Sequence, residues 1–164
     1  MNFAERENLE MIRDLVAVNQ DRYTGYRSIA TYLDENKDQR VLALIEKTMQ
    51  QSQQYKSQLI PFAYPEQEEG FQPMLEKHIP WPIPTNGGTQ LLGQTELLSI
   101  CITAENETLN VYELALKNTE IVDQSLARMI DSQREGLIQT IDELRKLCPD
   151  DSAREQPATK NLKF

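Results

Sequence analysis

Four stretches of this chain repeat inward-type residues at alternating intervals of four and three, and that rhythm rules out most folds before composition is consulted. The first stretch reads Ile12, Val16, Asn19, Tyr23, Tyr26, Ala30 and Leu33, and the second Val41, Ile45, Thr48, Ser52, Tyr55 and Leu59. The third reads Leu98, Ile102, Glu105, Leu109, Tyr112 and Leu116, and the fourth Leu126, Ile130, Gln133, Leu137, Thr140, Leu144 and Leu147. Each stripe gives a helix one face to bury, so the pattern predicts an all-α four-helix bundle. The helices are expected over residues 3–34, 38–60, 92–117 and 120–147. Asp38 can cap the second, and Asn118 or Thr119 can turn the chain and cap the fourth.

Between the two helical pairs the character changes. The run "PFAYPEQEEGFQPMLEKHIPWPIPTNGGTQ" holds six of the eight prolines and ends near Gly87 and Gly88, so no long helix fits there. A connection over 61–91 is far longer than neighbouring helices need, which predicts a crossover along the bundle and an up-down-down-up order, with at most a turn of helix around "MLEKH". Trp81, inside "IPWPIP", belongs to an extended course that lays the indole over a groove between helices as a lid. Gly25 and Gly136, placed inside helices, point to close approach by a neighbour. The bundle is expected to occupy residues 1–148, with 149–164 as a polar tail.

Composition narrows the function. A net charge of -9 with a pI near 4.7 repels nucleic acid and anionic lipid surfaces. No apolar run approaches the roughly 20 residues that a membrane helix needs, and no basic start leads into an apolar stretch, so a cytoplasmic location is expected. Two cysteines, Cys101 and Cys148, are too few for a disulfide framework and lack metal-site spacing. Counted along the helices, their heights differ too much for an intramolecular bridge. His78, alone in the loop, reads as an ordinary surface residue.

The chemistry sits where polar residues interrupt the stripes. Counting about 1.5 Å per residue from each turn puts Asn19 opposite Ser52 and Glu105 opposite Gln133, with Tyr23, Tyr55, Tyr112 and Thr48 near the same level. All four helices then contribute to one polar belt at mid-bundle. A carboxylate there must be hydrogen-bonded, paired or protonated. Two readings follow for Glu105: a satisfied buried group that fixes helix register, or a ligand for a metal ion or small polar molecule. Glu107, one step away, reads as a solvated charge.

The segments "NQDRYTGYRSIA", "SQQYKSQL", "TELLSICITAENETLNVYELAL" and "SQREGLIQTIDELRKL" resemble the small bacterial four-helix bundles of the ferritin-like superfamily, in a group catalogued as a domain of unknown function. Asp21, Gly25, Tyr26, Gln54, Glu105, Tyr112 and Asp142 match that pattern. The resemblance implies an up-down-down-up bundle. It does not carry over a di-iron centre, because such a centre takes Glu-x-x-His pairs from two helices and this chain has one histidine, in the connection. Neither a metal, a cofactor nor an enzymatic activity is expected. The expectation is a protein-contact module, a homo-oligomer or the partner of another protein. A second apolar face on helices one and four, with Met11, Val18, Ile121 and Met129, is the motive for a homodimer. The alternative is a binding module built on the belt around Glu105.

Overall fold

The computed structural model describes residues 3–83, 92–118 and 123–148. Four helices account for most of them: α1 (Phe3–Ala30), α2 (Gln39–Ala63), α3 (Gln94–Asn118) and α4 (Gln124–Leu147), with no strand among the described residues. The protein is thus an all-α four-helix bundle. No helix among the described residues is long and apolar enough to cross a membrane. The expected helix start at 120, Thr119 as a cap, Ile121, residues 84–91 of the connection and the tail 149–164 lie outside the described residues.

Where the boundaries differ from expectation, local hydrogen bonding gives the reason. α1 stops at Ala30 because Thr31, Tyr32 and Leu33 turn back on Ser28, Ile29 and Ala30 through shorter i→i−3 bonds. α2 continues through Pro61 for one more turn. Ile60 and Ala63 are buried there, Tyr64 N–H closes the turn on Ile60 O, and Arg13 Nε donates to Ala63 O at 2.9 Å. Asp38 precedes α2 without capping it: its carboxylate accepts instead from Asp34 N–H and from the Gln94 side chain. Asp123 caps α4, and its carboxylate accepts from the Ser125 hydroxyl and from the Leu126 and Ser125 N–H groups, which lowers its pKa. The "MLEKH" stretch forms no helical turn.

Cross-helix contacts give the directions. Gln20 meets Lys56 and Arg13 meets Ala63, so α2 runs back along α1. Arg22 meets Glu105 and Asn19 meets Tyr112, so α3 runs antiparallel to α1. Lys47 meets Glu143 and Gln58 meets Gln133, so α4 runs antiparallel to α2. The Gln94–Asp38 hydrogen bond, 2.8 Å, puts the starts of α2 and α3 at one end.

The apolar interior divides in two. One cluster gathers Ile12, Leu15, Val16, Leu59, Ala115, Ile130 and Leu137, and the other Tyr26, Ile29, Ile45, Leu97, Leu98, Ile102 and Leu144. Between them, all buried, lie Asn19, Arg22, Thr48, Ser52, Glu105, Thr108, Gln133 and Thr140. Met11, Val18 and Met129, expected on a second face, pack into the first cluster instead. The reason is that α1 buries a wide arc, Leu15 to Asn19 without interruption, because the connection as well as two helices lies against it.

Candidate functional site

The polar layer is built around one guanidinium. Arg22 and Glu105 are both fully buried and meet side by side, with Arg22 Nε on Glu105 Oε1 at 2.8 Å and Nη2 on Oε2 at 3.0 Å. Two parallel N–H···O bonds of this kind are the strongest arrangement open to a carboxylate. Two of the three remaining N–H donors are used as well: Nη1 reaches Asn19 Oδ1 at 2.9 Å and Nη2 reaches Gln51 Oε1 at 2.6 Å. The Tyr55 ring covers the guanidinium at 5.7 Å. Burial works against the Arg22 charge, but attraction to Glu105 outweighs it and the pKa is raised.

A second chain of bonds starts from Asn19. Its Nδ2 donates to Leu15 O and to the Tyr112 hydroxyl at 2.7 Å, and that hydroxyl donates to Gln133 Oε1 at 2.6 Å. Gln133 Nε2 in turn reaches Gln58 Oε1 at 3.0 Å and Tyr55 O at 3.4 Å. Thr140 closes the layer on Gln51 at 3.4 Å. One bonded network therefore joins all four helices. Burial pushes the Tyr112 phenol well above its ordinary pKa, so it stays a neutral donor and acceptor. Tyr26 sits beside Glu105 with its hydroxyl buried; burial first, and then the Glu105 charge, hold its pKa well above normal.

Of the residues expected in the belt, Glu105, Asn19, Gln133 and Tyr112 are brought together, and Tyr55 joins through its ring and carbonyl. Ser52 is buried at the right level but spends its hydroxyl on Met49 O, as Thr48 does on Leu44 O. Tyr23 falls outside the layer: it is half-exposed and its ring lies under Arg27 at 5.5 Å. The inward path on α1 is Ile12, Leu15, Asn19, Arg22, Tyr26 and Ile29, one position off the expected stripe at Tyr23. Arg22 was missed for that reason, since an apolar stripe search rejects an arginine. The available signal was the buried glutamate itself, which needs a cation at its own level.

Gly25 and Gly136 mark close contacts. A Cβ at 136 would overlap the Tyr55 hydroxyl, and one at 25 the Trp81 ring. His78 is partly exposed, 3.8 Å from Asp14. Cys101 and Cys148 are both buried in the same apolar cluster, with the Cys148 thiol donating to Leu144 O at 3.6 Å. Among the described residues no group of three His, Cys, Asp or Glu is placed to hold a metal ion. The donor set does not fit a di-iron centre, because both Glu105 oxygens are taken by Arg22 and the layer contains no imidazole. Comparison with protein-family models, with curated proteins and with solved structures gives no match.

Proposed function

We propose that this chain is a non-enzymatic bundle of the ferritin-like, up-down-down-up kind, with residues 61–91 as its crossover, in which the mid-bundle layer is a structural joint and function lies in contacts with other proteins. The observation that carries this reading is the two-pronged Arg22–Glu105 pair: a guanidinium already occupies both oxygens of the carboxylate in the mid-bundle layer that a cation would use. The Gln94–Asp38 contact supports the helix order, since a chain that finishes α2 must travel back to begin α3 beside α2's start. Cysteines buried in an apolar cluster, Cys101 and Cys148, fit a reducing, cytoplasmic setting. A second copy of the chain is the first partner to test; Val18 is buried in the bundle, while Met11 and Met129 pack against its core and stay partly exposed.

The test is metal analysis and titration calorimetry on protein purified without chelator, for wild type and Glu105→Gln. The structural reading expects no stoichiometric metal in either. Bound metal in the wild type that is lost in Glu105→Gln would instead establish the belt as a ligand site. Light scattering across protein concentrations tests self-association; a strict monomer at high concentration removes the homodimer and leaves a different protein as the partner.

A further inference from the structure

Residues 71–83 contain no helix and no strand, yet they are laid down with order. Phe71, Leu75, Ile79, Trp81 and Ile83 turn toward the helices, whereas Gln72, Met74, Glu76, His78, Pro80 and Pro82 face outward. Among the described residues, the backbone of this segment is held to the bundle through one carboxylate oxygen. Asp21 Oδ2, on α1, accepts from His78 N–H at 2.9 Å and from Ile79 N–H at 2.7 Å. The other described backbone bonds of the segment are local, Phe71 to Glu68 and Ile83 to Trp81. One turn beyond Asp21, Gly25 leaves room for the Trp81 ring to lie directly on the α1 backbone, where a Cβ would overlap it. Trp81 in turn packs edge-on against Tyr26 at 4.8 Å, and Tyr26 is the residue that separates it from Glu105.

We propose that residues 71–83 form a strap that lifts from α1 as a unit while the four helices stay folded, with Asp21 as its latch and Gly25 as the seat of Trp81. The helices keep their backbone hydrogen bonds internally, so releasing the strap breaks none of them. Elements held by few buried contacts open locally, below the free energy of global unfolding. Lifting uncovers the α1 surface around Asp21, Thr24, Gly25 and Ser28 and the side of the Tyr26 ring that Trp81 covers. The strap is thus a cover over one face of the bundle, and its opening sets whether that face is presented.

The chain's single tryptophan lies on the strap, so its emission reports the cover directly. In the full chain, acrylamide quenching and emission wavelength of Trp81 are measured beside far-UV circular dichroism through a urea titration. The Trp81 signal is expected to change before the helical signal. Gly25→Ala should shift emission to the red and raise quenching while helix content and its unfolding midpoint hold or rise, because alanine favours the helix and only the seat is lost. Asp21→Ala should speed hydrogen exchange at the His78 and Ile79 amides about tenfold to a hundredfold, the worth of a bond to a charged acceptor, and leave α3 and α4 amides unchanged. Coincident tryptophan and helix transitions, or wild-type emission in Gly25→Ala, would overturn the proposal.

Discussion

Separating Arg22 from Glu105 tests the joint most directly, because the two single substitutions fail in different ways. Glu105→Gln keeps the shape but leaves a fully buried guanidinium without a counter-charge, and it turns one acceptor into a donor facing Nη2. Arginine cannot escape by losing its proton. A broken buried pair costs about 3–5 kcal/mol, which for a chain of this size lowers Tm by roughly 6–20 °C at any pH between 5 and 8. Arg22→Met strands the carboxylate instead, together with Asn19 Oδ1 and Gln51 Oε1. Here there is an escape. A desolvated carboxylate without a partner can be neutralised by taking up a proton, so the penalty is largest near neutral pH and shrinks in acid. The double variant Arg22→Met/Glu105→Gln removes both charges and should be less destabilised than the two singles summed by at least about 2 kcal/mol. Urea unfolding followed by circular dichroism at pH 5, 6, 7 and 8 supplies all three numbers. Additivity of the singles within about 0.5 kcal/mol, or an Arg22→Met penalty that does not change with pH, would refute the reasoning.

Three further outcomes rest on the same geometry. Tyr112→Phe removes the hydroxyl that links Asn19 to Gln133 and should cost about 1–3 kcal/mol in urea unfolding, with no change in helix content. Gly136→Ala should gain roughly 1 kcal/mol of helix propensity but displace the Tyr55 hydroxyl, and an overpacking cost of about 1–3 kcal/mol makes the net effect destabilising or neutral rather than stabilising. Raising pH should unfold the protein by ionising its buried phenols. The folded pKa values of Tyr26 and Tyr112 lie above the unfolded value of 10.0, and that of the buried Cys101 thiol above its unfolded 9.0, so stability begins to fall above about pH 9 with the thiol and more steeply above 10.0 with the phenols. The slope is about 1.4 kcal/mol per pH unit for each tyrosine, and the tyrosinate absorbance should appear together with loss of helix.

Most of the fold was legible because it depends on periodicity, and least of it where a polar residue was mistaken for a break in the pattern. On α4 every expected stripe residue from Leu126 to Leu144 is buried, and Ile141 is the one addition, since among the described residues a single narrow face is buried. On α1 the reading slipped at Tyr23. The connection covers a second side of that helix, so Arg22, Asp21 and Tyr26 are all buried and apolar spacing no longer identifies the inner face. The boundary at Pro61 misled for a related reason: the packing of Ile60 and Ala63 outweighs the one hydrogen bond that proline cannot make. Glu105 was found from sequence because a carboxylate in a stripe is conspicuous. Its partner was hidden because geometry, and not residue type, makes an arginine an interior residue.

What such a layer does for the bundle follows from comparing the native pairing with its nearest competitor. Sliding α3 along α1 by one turn, about 5.4 Å, exchanges one set of leucine and isoleucine contacts for another of similar area and so changes apolar burial little. The same slip pulls Glu105 out of reach of Arg22 and takes the Tyr112 hydroxyl from between Asn19 and Gln133, leaving a charge of each sign buried without a partner. That difference is several kcal/mol, of the order of the whole stability of a small domain. The pair adds little compared with well-packed hydrophobic residues in its place, but it is costly in any other register. Because Arg22 belongs to the α1–α2 hairpin and Glu105 to the α3–α4 hairpin, it sets how the two halves of the chain meet.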